Sequence, residues 1–202
     1  RVSAWIVDTP LGSGGSAHRG GAKSGNVDHG HHAGFRLDWF RRIGGYDPKF
    51  THNEDAEYDV RLIRAGGKIW LEAGIRVTYF MRRSLKSLAR QYWNYGRGRA
   101  RTILKHSARP RLRQVVPALN LVMLLFSMVA GFVWTPAFAW CAVYSVAILL
   151  VSLVGMTRQR EANGLLAGPA VAAMHIGWGL GFVYQFGSEL WHRRTGKAAV
   201  AA

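Results

Sequence analysis

Two carboxylates stand together at Glu54-Asp55, between a Gly44-Gly45-Tyr46-Asp47 turn and an Asp59-Val60-Arg61-Leu62 segment. Paired acids of this kind can take a proton from a hydroxyl nucleophile as a general base. They can equally well sit in the first turn of a helix, capping it and complementing its dipole. Asp28, His29, His31 and His32 form a second group of chemistry-bearing residues. Their types suit metal ligation, but their spacing matches no common zinc motif. Lining a substrate pocket or structuring their loop is the stronger reading. A third group is Gln91 to Arg99, where Arg97 and Arg99 offer guanidinium forks suited to phosphate oxygens. The competing reading is a basic helix drawn to anionic lipid. Cys141 is the only cysteine, so neither a disulfide nor a cysteine zinc site can form within the chain.

Short elements must position these groups. Val2 to Val7 reads as a strand. Gly12 to Gly34 holds eight glycines and reads as a flexible or ligand-covering loop. Its Ala22-Lys23-Ser24 is not the Gly-Lys-Ser of a phosphate loop. Asp38 is placed to cap a helix over Trp39 to Ile43, stopped by Gly44-Gly45. A second helix should start near Asn53 to Asp55 and run to Ala65, with acids in its first turn and Arg61 and Arg64 near its end. Lys68 to Leu71 and Arg76 to Phe80 read as short strands. Ser84 should open a third helix, with Leu85, Leu88, Ala89 and Tyr92 on one face. Basic and aromatic together, that helix suits the membrane interface.

The net charge is +16, yet its distribution argues against a nucleic-acid partner. Eleven Lys or Arg and no acid lie between Arg82 and Arg113, and no charged residue follows from Gln114 to Thr157. A basic run directly before an apolar one is the positive-inside pattern. The apolar run accommodates two crossings, Val115 to Trp134 and Ala137 to Met156, joined at Trp134-Thr135-Pro136. Gly164 to Gly187 is a third candidate, weakened by its glycines, His175 and Gln185. His175 there is most simply a neutral side chain hydrogen-bonded between helices. Three crossings from a cytoplasmic basic segment put the C-terminus outside, against the bias of Arg193, Arg194 and Lys197. The chain opens on Arg1 rather than on Met and reads as part of a longer protein.

The ordered set Phe40-Arg41-Arg42-Ile43-Gly44-Gly45-Tyr46-Asp47, Asn53-Glu54-Asp55 and Asp59-Val60-Arg61-Leu62 resembles the acceptor-side half of family 2 glycosyltransferases. Val27 to Ala33 and Gln91 to Arg99 are similar to the succinoglycan-biosynthesis (ExoA-type) branch. The resemblance implies a partial GT-A domain, α/β in class, followed by a helical membrane region. The expected division is 1–81 for the catalytic part, 82–113 for the basic interfacial helix and 114–202 for the membrane helices.

By the same resemblance, Asp55 is the base and Glu54 its neighbour, orienting it or the acceptor. Asp28, His31, His32, Gln91, Arg97 and Arg99 fall at substrate-binding positions. Trp93 precedes the arginines and no Arg-Trp pair occurs, which favours addition of one sugar over processive synthesis. Related enzymes often carry a metal-holding His where this chain has Tyr79, so the metal ligands stay unassigned. The implied partners are a nucleotide sugar, such as a UDP-hexose, a polyprenyl-diphosphate-linked oligosaccharide and membrane lipid. The implied cofactor is Mg²⁺ or Mn²⁺, with ligands largely beyond this stretch, and the implied setting is the bacterial inner membrane with the catalytic part in the cytoplasm. The alternative is a non-catalytic membrane-anchored module that binds lipid-linked polysaccharide or assembles a synthesis complex.

Overall fold

The computed structural model describes residues 2–14, 16, 23–30, 33–75, 77, 78 and 80–195. Eight α-helices follow in chain order: α1 (Val2–Val7), α2 (Pro10–Ser13), α3 (Leu37–Ile43), α4 (Glu54–Arg64), α5 (Leu85–His106), α6 (Leu112–Gly131), α7 (Ala139–Gln159) and α8 (Ala167–Thr195). The α/β expectation is met only by one small antiparallel sheet. In it β1 (Gly25–Val27) pairs with β2 (Ile69–Leu71), and Asn26 lies opposite Trp70. Two strands of this length bury little on their own, so the described chain is mostly helical.

Val2 to Val7 is a helix, not the expected strand. Its Ile6 and Val7 are buried with Leu88 of α5 and Ala167, Ala170, Val171 and Met174 of α8. Six residues, five of them apolar, satisfy either period, and that distant partner surface decides between them. The glycine-rich stretch, expected to be loop, supplies β1. Val77, Thr78 and Phe80, expected in a strand, lie outside any regular element. Asp38 does not cap α3. Arg36 occupies the cap position, and Asp38 sits inside the helix paired to Arg36 at 2.8 Å. Ser84 does open α5, through a reciprocal box in which its Oγ accepts the Ser87 N–H and the Ser87 Oγ accepts the Ser84 N–H.

Among the described residues, three helical segments are long and apolar enough to cross a membrane: Leu112–Gly131, Thr135–Gln159 and Ala162–Thr195. The glycines that weakened the third on sequence are its packing surface. A Cβ on Gly177 would lie 2.6 Å from the Ala89 carbonyl oxygen, one on Gly181 2.1 Å from that of Trp93, and one on Gly179 2.7 Å from that of Pro117. Small residues there let the α5 and α6 backbones come close, as in tightly packed membrane helices. Gly96 returns the contact from α5, since its Cβ would fall 2.2 Å from the Trp178 carbonyl oxygen. Gly96→Ala should therefore lower the unfolding temperature of the detergent-solubilised protein, although alanine is the better helix former by roughly 1 kcal/mol. Overpacking of this kind costs about 1–3 kcal/mol. An unchanged or raised unfolding temperature would show that α5 and α8 separate more easily than this contact implies.

Candidate active site

The Gly44-Gly45 turn ends α3 in left-handed backbone, with φ of 88° and 67°. Arg61 of α4 holds that turn, donating to the Ile43 carbonyl at 2.8 Å and the Gly45 carbonyl at 2.7 Å. Its guanidinium also pairs with the fully buried Glu57. Glu57 receives Lys105 Nζ at 2.6 Å and lies 2.9 Å from His106 Nε2, both from the end of α5. Asp47 takes the same Lys105 ammonium at 2.6 Å. Burial works against the Glu57 charge, but hydrogen bonds from Arg61, Lys105 and His106 outweigh it and bring its pKa down to about 2. Asp47 and Arg61 of the sequence motif, with Glu57 from between its blocks, thus form a clamp that fixes α4 against α5 and the Gly-Gly turn. The Glu57–Arg61 spacing of four residues was readable on sequence. The partners from α5 were not.

The clamp sets where α4 begins. Asn53 precedes it in left-handed backbone and makes no side-chain cap. Its Nδ2 donates instead to the Tyr95 carbonyl at 2.8 Å. Gly98 makes room for this approach, because a Cβ there would lie 2.7 Å from the His52 carbonyl oxygen. Glu54 and Asp55 open α4 beside Tyr46. Burial raises the Tyr46 pKa, and the carboxylates of Asp55, Glu54 and Asp59 raise it further. Asp55 Oδ1 accepts the N–H of Ala56 at 2.7 Å, and the side chain is only half-buried.

Asp55 also lies within electrostatic reach of Arg99 on α5. Burial lowers the pKa of Arg99, while Asp55 and Asp28 favour its charge and Arg113 and Arg111 oppose it. Its Nε is buried without a partner among the described residues. Asp28 pairs with Arg111. Arg113 packs on Gly14, whose Cβ would meet it at 3.2 Å. One region therefore gathers Asp55, Asp28, Arg99, Arg111 and Arg113 from four separate stretches of chain. Asp59, one turn after Asp55, fastens the adjoining loop: its Oδ2 accepts the Gly30 N–H at 2.9 Å and lies 2.7 Å from His29 Nδ1.

The expected binding residues are divided by this geometry. Arg97 and Arg99 are two positions apart on a helix and face opposite ways. Arg97 Nε donates to Gln185 of α8 at 3.2 Å, and its guanidinium lies over the Tyr184 ring. Arg99, on the other face, lies within electrostatic reach of Asp55. Gln91 donates to the Tyr95 hydroxyl at 2.8 Å, further along α5. His31, His32 and Tyr79 lie outside the described residues. Arg111 and Arg113 were missed, because in sequence they are merely the last of a basic run before an apolar one. Among the described residues no group of three or more His, Cys, Asp and Glu is placed to hold a metal ion.

Such an arrangement pairs a carboxylate that can accept a proton with cations that can hold an anionic leaving or anchoring group. No family model and no solved structure matches the chain. Among curated proteins, the succinoglycan biosynthesis protein ExoA of Rhizobium meliloti (strain 1021) is 41% identical over 187 residues. The match takes in 90% of this chain and 55% of that protein, so the chain spans about half the length of its relative. The similarity covers both the Asp55 region and most of the apolar helices, and it makes this chain an ExoA-type relative.

Proposed function

We propose that the chain carries the acceptor-side half and the membrane region of a glycosyltransferase in exopolysaccharide biosynthesis. One observation carries the reading: Asp55, at the start of a clamped helix, lies within electrostatic reach of the buried Arg99, and Arg111 and Arg113 lie within reach of that same guanidinium where the apolar segments begin. The similarity to a succinoglycan biosynthesis protein supports it. In the proposed reaction the Asp55 carboxylate takes the proton of an acceptor hydroxyl. The freed oxygen attacks the anomeric carbon of a nucleotide sugar, a UDP-hexose in the simplest case. The bond from that carbon to the diphosphate breaks, and the nucleoside diphosphate departs with the electron pair. Attack opposite the leaving group inverts the anomeric centre. Glu54 lies beside the base and orients it or the acceptor.

Arg99, Arg111 and Arg113 are assigned to diphosphate oxygens, which their planar forks match. Their place on α5 and at the start of α6 suits the diphosphate of a polyprenyl-linked oligosaccharide held at the inner membrane. The GT-A fold belongs to the same proposal, as does a divalent cation, Mg²⁺ or Mn²⁺. The described residues gather no site for that ion, and no step above runs through it.

The test is nucleoside diphosphate release by the full-length membrane protein, across UDP- and GDP-sugars, with and without lipid acceptor. Release should need the acceptor. Arg99→Met should lower kcat/KM roughly 10- to 100-fold, the range set by losing a hydrogen bond to a charged group. Arg97→Met should leave kcat/KM close to wild type, because Arg97 faces α8. Equal effects of the two substitutions would remove Arg99 from the site.

A further inference from the structure

The three apolar segments are not equivalent. In the most apolar stretches of the first and second, 22% and 6% of residues are buried within the protein, against 50% in the third. α6 and α7 show large side chains outward along their lengths, among them Val122, Leu125, Phe126 and Val129 on one and Val143, Val146, Leu149 and Leu150 on the other. That is a surface for lipid.

α8 is covered by a charged helix. Gly177 meets Ala89, Gly181 meets Trp93, Gln185 accepts from Arg97, Glu189 lies 3.7 Å from Arg101, and Arg193 donates to the Leu104 carbonyl. The two sequences advance together, so α5 and α8 run parallel and in contact for about 23 Å at about 1.5 Å per residue. Lys86 and Arg90 of α5 are exposed, and Lys105 is tied to Asp47 and Glu57 of the site. Carrying α8 across a bilayer would draw α5 and its charges into hydrocarbon, at a cost of several kcal/mol for each charge at the centre. Ahead of Gly177, α8 offers only ten residues, about 15 Å of the roughly 30 Å needed. Even these pack on Ile6 and Val7, and His175 Nε2 lies 3.1 Å from the Leu11 carbonyl. On α6, the contacts to α8 at Gln114, Pro117, Ala118 and Leu121 all fall in its first ten residues.

We propose that only α6 and α7 traverse the bilayer, as a hairpin, while α8 stays in the near leaflet and headgroup region alongside α5. The partner of the exposed α6–α7 surface is a bilayer with anionic headgroups on the α5 side, to which the exposed Arg82, Arg83, Lys86 and Arg90 are suited. Thr195 at the end of α8 then lies on the same side as Asp55, so Arg158, Arg160, Arg193 and Arg194 obey the positive-inside bias. This replaces the sequence expectation of an external C-terminus. It rests on the membrane reading and not on the proposed reaction, so failure of either leaves the other standing.

Single cysteines test it in the full-length protein with Cys141→Ala as background. Lys86→Cys, Val133→Cys and Thr195→Cys are each treated with a membrane-impermeant maleimide, in intact cells and after permeabilisation. Val133→Cys should react in intact cells, and Lys86→Cys and Thr195→Cys only after permeabilisation. Reaction of Thr195→Cys from the side opposite Lys86→Cys would overturn the proposal. Should a cysteine variant fail to accumulate, a reporter fused after Ala202 decides the same point. GFP fluorescence without alkaline phosphatase activity supports the hairpin, and phosphatase activity overturns it.

Discussion

Asp55→Asn in the full-length protein should reduce sugar transfer by roughly 10²- to 10⁴-fold, the usual consequence of losing a general base. The protein should still fold, because Asp55 is half-buried and the clamp beside it depends on Glu57 and Arg61 instead. The amide keeps the shape of the side chain and can still accept the Ala56 N–H. What disappears is the capacity to take a proton and the negative charge beside Arg99. Initial rates at saturating donor and acceptor measure the effect, and circular dichroism of the purified variant checks the fold. Turnover within a few-fold of wild type would remove Asp55 as the base. Glu54→Gln should fall well short of the Asp55→Asn loss.

Glu57→Gln should be the most damaging change to stability. The carboxyl is fully buried and its pKa is brought from 4.5 to about 2 by Arg61, Lys105 and His106. At about 1.36 kcal/mol per pKa unit, the charged form contributes roughly 3 kcal/mol to folding. A depressed carboxyl pKa favours the folded state fully above the unfolded value and loses that contribution as pH falls from about 4.5 towards 2. The wild type should therefore lose stability steeply in that window, and the Gln variant less steeply. At neutral pH the variant leaves Lys105, His106 and Arg61 short of a partner, a loss comparable to breaking a buried ion pair, about 3–5 kcal/mol. Thermal unfolding in detergent at pH 7 and at pH 3 separates the two forms. Matching curves at both values would show that the clamp contributes nothing.

Local features of the fold were readable from the chain. Ser84 announced α5 because its cap needs only Ser87, three residues away. The α6–α7 hairpin was readable because an uninterrupted apolar run is itself the signal. Val2 to Val7 was not, since its helical form depends on Leu88 and α8, more than 80 residues distant in sequence. The glycines of α8 misled for the same reason. Read alone they weaken a helix, and only the Ala89 and Trp93 backbones opposite them explain why larger residues would not fit.

The site divides along the same line. Asp55 stood out through its ordered neighbours Gly44, Gly45, Tyr46 and Asp47. Those neighbours proved to hold different duties: Asp47 and Arg61 bind the clamp, and Asp59 anchors His29 and Gly30. Arg111 and Arg113 were hidden, because a basic residue before an apolar run already has an explanation. Arg97 and Arg99 looked interchangeable until the helix placed them on opposite faces.

The most direct measurement follows the sugar itself. Membranes containing the full-length protein are incubated with a panel of radiolabelled nucleotide sugars and a polyprenyl-diphosphate oligosaccharide, then extracted for lipid. The account predicts that one donor labels the lipid fraction, that the oligosaccharide grows by a single residue, and that Asp55→Asn membranes give no such product. Lipid acceptor that binds these membranes yet gains no label from any donor would contradict it and leave a non-catalytic polysaccharide-binding module in its place.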